Sequence, residues 1–250
     1  MRRCLTALLA IGVLAVTARN TAAQGGKPGG GATPAPSSAD MAAYTALVST
    51  PVGALAPLMI TPGAKVEKKF NALTGRYSHF SSDAGSANSL GASFYHRAGM
   101  NAAVSGTLGY TTAANCATNC GTVLVGADVH STLWNNKPRA TAATKSVNLQ
   151  GSLGYGSGTD VNYMSFAVGV PLSFSMRRSP TTRVSAFLTP GFGWGKVSPK
   201  GAAAESGTRP MIGAGAAWLA SSGWGVHASF NKVIVDGGGN AFGLGYSWKM

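Results

Sequence analysis

The sequence predicts an all-β protein: an antiparallel sheet, closed into a barrel, that crosses a membrane. Three observations predict it. The first is a period of two, clearest in the last ten residues. Phe242, Leu244, Tyr246 and Trp248 fall on one face there, and Gly243, Gly245 and Ser247 on the other. Successive side chains of a strand point to opposite faces, so this is a strand with one large apolar face and one small face. A soluble sandwich turns large apolar residues inward and polar ones to water, whereas a membrane barrel has lipid outside and a confined lumen within. The second observation is composition. Charged residues make up 11% of the chain, against about 25% for soluble proteins. The 35 glycines are about twice the usual share. The third is that no stretch after the N-terminus approaches the roughly 20 apolar residues of a spanning helix. Only strands can then carry the chain across a bilayer.

Met1 to Ala23 reads as a secretory signal peptide. Arg2 and Arg3 form its charged start and Leu5 to Val16 its apolar run. Thr21-Ala22-Ala23 is a small-residue cleavage site, with Ala15-Val16-Thr17-Ala18 a second. The run is too short for a membrane anchor, and Cys4 precedes it rather than following it, which argues against a lipoprotein. The formal charge is +13. Removing Arg2, Arg3 and Arg19 with the signal leaves 13 − 3 = +10. The remaining Lys and Arg are scattered singly, without the basic stripe that nucleic-acid binding needs. Attraction to anionic lipid headgroups accounts for them better.

Residues 24–64 follow as a linker rich in Gly, Pro, Ala and Ser. Within it Asp40 is placed to cap a short helix over Met41 to Val48, and Pro51, Pro57 and Pro62 break up what comes after.

From about residue 65 to the C-terminus the pattern is repeated strands and turn-rich loops. A poorly patterned strand near Asn71 to Phe80 comes first. The predicted outward faces then include Leu90, Ala92 and Phe94; Val104, Leu108 and Tyr110; Val123, Val125 and Val129; and Leu149, Leu153 and Tyr155. The longest alternating set runs from Met164 through Phe166, Val168, Val170 and Leu172 to Phe174. Val184 to Trp194, Ile212 to Trp218 and Trp224 to Phe230 precede the final strand. The opposite positions include Ser93, Ser105, Thr107, Asn148, Gln150, Ser152, Ser165, Gly213, Gly215, Ser229 and Asn231. The total is about ten strands, with eight as the alternative count.

Loop lengths alternate as antiparallel crossing requires. The predicted outer loops lie near 81–88, 111–121, 156–160, 196–207 and 236–239. The inner turns lie near 98–100, 134–144, 177–182 and 220–223, and the long 134–144 connection fits least well. Aromatics sort to the ends as an interfacial girdle, with Tyr110, Tyr155 and Trp194 outside and Trp134, Trp218, Trp224, Tyr246 and Trp248 inside.

Signal peptide, linker, alternating strands and an aromatic last strand together resemble the small bacterial outer-membrane β-barrels of the outer-membrane-protein-A and opacity-protein type. The resemblance covers about 65–250 and is one of pattern, without a diagnostic motif. It implies residence in the outer membrane among lipid and lipopolysaccharide. It also implies that the barrel assembly machinery reads the last strand, Phe242, Leu244, Tyr246 and Trp248. Lys249 and Met250 extend past the aromatic on which that family usually ends.

Chemistry-bearing residues are few. Cys116 and Cys120, in a predicted outer loop, are expected to close a small disulfide after export. Two thiols with no His nearby do not make a metal site. Gly191 to Gly195 and Gly237 to Gly239 lack both the dinucleotide fingerprint and a phosphate-binding Lys-Ser/Thr end, so no cofactor is expected. Asp128 and His130 share the lumen face of one strand, and His227 and Ser229 that of another. Acid, His and Ser are the ingredients of a hydrolase, so these four are the residues to test if the barrel is an enzyme. Polar lumen residues occur in any such barrel, and the sequence reads as non-enzymatic. The expected role is structural, surface-interacting or that of a small passive pore. The alternatives are a barrel enzyme acting on lipid or peptide, or a soluble secreted barrel with a small ligand.

Overall fold

The structure, a computed structural model, describes residues 70–82, 85–97, 102–113, 121–136, 143–159, 161–179, 181–201, 203–234 and 239–250. The predicted signal peptide, the linker with its short helix, and the Cys116 and Cys120 pair lie outside the described residues. Every regular element among those described is a strand. They are β1 (Phe70–Ser82), β2 (Gly85–Arg97), β3 (Ala102–Ala113), β4 (Gly121–Asn135), β5 (Thr144–Gly158), β6 (Val161–Gly169), β7 (Leu172–Ser179), β8 (Thr182–Pro199), β9 (Glu205–Ala220), β10 (Trp224–Val233) and β11 (Asn240–Lys249).

All neighbours are antiparallel and the sheet closes on itself, because β1 pairs with both β2 and β11. Eleven strands occupy ten positions. β5 pairs with β6 over one half of its length and with β7 over the other, and β8 does the same. β6 and β7 are therefore one spanning strand broken at Val170 and Pro171. Proline has no N–H to give a ladder, and the break falls where Pro171 enters. Its neighbours stay bonded: the Val170 amide donates to the Pro190 carbonyl (2.9 Å), and the Asn148 amide donates to the Pro171 carbonyl (2.9 Å). The ten-strand count stands, and the alternation from Met164 to Phe174 belongs to one strand position, as predicted.

The ladder winds. From Gly156 in β5, partners run through Leu124, Gly109, Gly91 and Arg76 to Gly245, His227 and Ala217. The path continues through Ser185 and Ser175 and returns to β5 at Thr144. Closing with a stagger of twelve residues (156 − 144) tilts the strands by roughly 40° at standard strand rise and spacing.

Side chains sort as the period of two requires. Leu90, Leu108, Val129, Leu153, Phe192, Leu244 and Trp248 are exposed on the outside, while Ser93, Ser105, Asn148, Gln150, Ser152 and Ser165 are buried within. Leu90 keeps 65% of its surface and Asn148 none. This excludes the soluble-barrel alternative, which needs the large apolar face turned inward.

Two details depart from the sequence reading. The predicted outer loop 196–207 is mostly strand, since β8 runs to Pro199 and β9 begins at Glu205. The pair Lys196↔Ser206 continues the ladder that far. The long inner connection is real but shorter than predicted, because β4 persists to Asn135 and β5 starts at Thr144. A register shift between Thr132 and Trp134 puts an extra residue in β4. Leu133 and Trp134 are consequently both exposed, and Trp134 reaches the outward face despite its even position.

Candidate functional site

The inner wall is laid out in two zones. Through the middle and inner reaches it is polar, built from the small hydroxyl-bearing positions of successive strands. These bond from strand to strand: Thr74 to Ser247 (2.9 Å), Ser93 to Thr107 (2.7 Å) and Ser185 to Ser175 (2.9 Å). Thr132 donates to the Asn148 side-chain oxygen (3.0 Å), and the Asn148 amide donates to Ser146 (3.0 Å). Asp128 accepts from the Ser105 hydroxyl at 3.0 Å and feels the positive charge of Arg76. Such bonds are what buried polar groups require.

Near the outer end the wall turns apolar. Phe80 of β1, Ala87 of β2, Leu124 of β4, Met211 of β9, Val233 of β10 and Ala241 of β11 form one buried cluster. Phe80 faces both Ala87 and Ala241 directly across its two ladders, and Met211 is the partner of Val233. These residues point inward from strands on both sides of the lumen, so the cluster bridges it. Sequence reading missed this zone. Its signal was present: Phe80, Leu124, Met211 and Val233 are large apolar residues at positions whose neighbours two away are mostly small or polar.

The four candidate catalytic residues lie on the inner wall in two separate pairs. Asp128 and His130 lie on β4, and His227 and Ser229 on β10. Four strand positions separate the two strands on either side of the ring. Both His130 ring nitrogens, His227 Nε2 and Asp128 Oδ1 are buried without a hydrogen-bond partner among the described residues. The nucleophile–base contact that defines a hydrolase site is not made there. No group of three His, Cys, Asp or Glu able to hold a metal occurs among the described residues.

Aromatic residues gather at both rims. At the inner end Trp218 packs edge-on against Trp224 (centroids 4.7 Å apart), and Trp224 stacks on Tyr246 at 6.2 Å. Trp248 is the cross-strand partner of Trp224, and Trp134 is exposed on the same rim. At the outer end Tyr110 and Tyr155 are exposed and Trp194 is half-buried. Polar pairs on the outward face mark the belt's limits on β1 and β2. His96 bonds Asn71 (2.8 Å) at the inner end. Tyr77 and His79 share the Asn88 oxygen (2.7 and 2.9 Å) at the outer end.

A closed antiparallel ten-strand barrel, apolar outside, polar within and banded by aromatics, defines a transmembrane β-barrel of the outer-membrane type. No protein-family model and no curated protein matches the chain. Among solved structures it is similar to Ail, the attachment invasion locus protein of Yersinia pestis, at 14% identity, covering 74% of this chain and all of that one (TM-score 0.32). It is also similar to an outer-membrane channel of Pseudomonas putida F1 at 10% identity, covering 76% of this chain and all of that one (TM-score 0.41). A third is the N-terminal β-barrel domain of Pseudomonas aeruginosa OprF, at 13% identity over 73% of this chain and 99% of that one (TM-score 0.30).

Proposed function

We propose that the protein is an exported outer-membrane barrel with a structural or surface-interaction role, its lumen closed at rest and without a catalytic function. The observation that carries this is the contrast between the two faces of one strand. On β4, Val129 is 57% exposed while its neighbours Asp128 and His130 are 1% and 0% exposed. The outside is made for lipid and the inside for polar groups. Outward-facing Lys196 and Lys232, next but one to Trp194 and Phe230, are exposed at the outer end. Lys145 and Arg178 are exposed at the inner end. Cations beside interfacial aromatics meet anionic headgroups, which supports phospholipid and lipopolysaccharide as the partners. The last strand, pairing with β1 to close the ring, is the segment for the assembly machinery to engage.

The test begins with fractionation of the native host and electrophoresis with and without boiling. The expected outcome is outer-membrane recovery and a mobility that changes on heating. In planar bilayers the folded protein should give no steady ion steps. Recovery in the soluble fraction, or persistent conductance, would overturn the reading. If the protein is found to hydrolyse a lipid or peptide, replacing Asp128 and His130 together should leave that activity unchanged. Its loss in a folded variant would reinstate catalysis.

A further inference from the structure

We propose that the lumen is an anion-preferring path held shut by the apolar cluster at its outer end. The inference rests on the closed-barrel reading and adds what closes it and what would pass. Phe80, Leu124, Met211 and Val233 belong to one buried apolar cluster there, together with the small residues Ala87 and Ala241. An apolar constriction blocks ions by refusing water, without needing a solid plug.

The wall beneath that constriction has the opposite character. Besides its bonded hydroxyls it carries hydrogen-bonding atoms that are buried and unsatisfied among the described residues: Asp128 Oδ1, both His130 nitrogens, His227 Nε2, Thr189 Oγ1 and Asn231 Oδ1. Leaving such atoms dry is costly. That part of the barrel is therefore disposed to take up water or ions once they can enter. Charge then decides which ions. Arg76, Arg97 and Arg183 sit at inward positions of β1, β2 and β8, and Asp128 supplies the one carboxylate among the described inward side chains. A small inorganic anion, chloride or phosphate, is the permeant class this wall fits.

The experiment is planar-bilayer recording of the full chain as exported, with folding of each variant confirmed by its heat-dependent mobility. Wild type is expected to be silent. The double variant Phe80→Ala with Leu124→Ala, and separately Met211→Ser, should give steady steps. Under a KCl gradient their reversal potential should lie on the chloride side. Adding Arg76→Gln should move it toward zero. Two substitutions made at different strands guard against a single misfolded variant. Folded seal variants that stay silent, or that prefer potassium, would overturn the path while leaving the closed-barrel reading intact. So would a folded Thr189→Ala, below the seal, that conducts as freely as the seal variants. Steady wild-type current would instead sink the closed barrel itself, so the two failures are distinguishable.

Discussion

At position 245 any side chain larger than hydrogen would run into the His227 ring, which lies across the β10–β11 ladder from it. The same relation holds at Gly215, whose missing Cβ leaves room for the Phe187 ring. Small and large inward residues are complementary in this wall, as close packing demands. Gly245→Leu should therefore cost about 1–3 kcal/mol through overpacking, read as a shift in urea-unfolding midpoint in lipid vesicles. Adding His227→Ala should recover much of that loss, and a double-mutant cycle showing no coupling would refute the contact. The sequence marked both glycines as small-face residues. It did not reveal which ring each one accommodates, because that depends on a cross-strand register fixed by pairing over long sequence distances. The same limit hid the seal, whose members come from six strands.

A strand of this barrel carries two solvents on its two faces, and its substitutions should report depth. Val129 stands on the outward face of β4 between Val123, near the outer rim, and Trp134 at the inner rim. Val129→Arg should cost roughly 2–4 kcal/mol, the range for a cation near the bilayer midplane. At Trp134, in the interface, an Arg should cost about 0–1 kcal/mol from its charge. Equilibrium unfolding in vesicles measures both, and equal costs at the two depths would contradict the assigned belt. Strand existence and face were legible because lipid outside enforces a strict alternation. Departures from that alternation were not. The first strand looked poorly patterned because Gly75 lies on its outward face while Arg76 and Phe80 lie inward. The bulge at Thr132 and Trp134 and the break at Pro171 are local irregularities that only pairing with neighbours makes visible.

Closure is the property of the whole molecule on which the lumen, the belt and the seal all depend, and it resides in one seam. β1 and β11 lie at the two ends of the described chain, yet Thr74 and Ser247 place their hydroxyl oxygens 2.9 Å apart across it, 173 residues apart in sequence. Both side chains are buried in the lumen, so the contact forms only if the sheet has closed. Thr74→Cys with Ser247→Cys, in a chain whose Cys4, Cys116 and Cys120 are replaced by Ser, should therefore oxidise to a single bond, because the two Cβ positions face each other at cross-strand distance. After boiling, the unreduced protein should run ahead of the reduced protein, since the bond keeps most of the barrel as a loop. Neither single variant should show that difference. The bond should also raise stability by roughly 5 kcal/mol on the chain-entropy argument for a loop of this length. An open sheet would hold the two thiols on opposite edges, and a folded double variant that fails to cross-link under oxidation would rule out the ten-strand ring. Cross-linking at this seam together with no current through the wild-type protein would show that a closed ring is silent, which leaves the seal variants to test whether the apolar cluster is what keeps ions out.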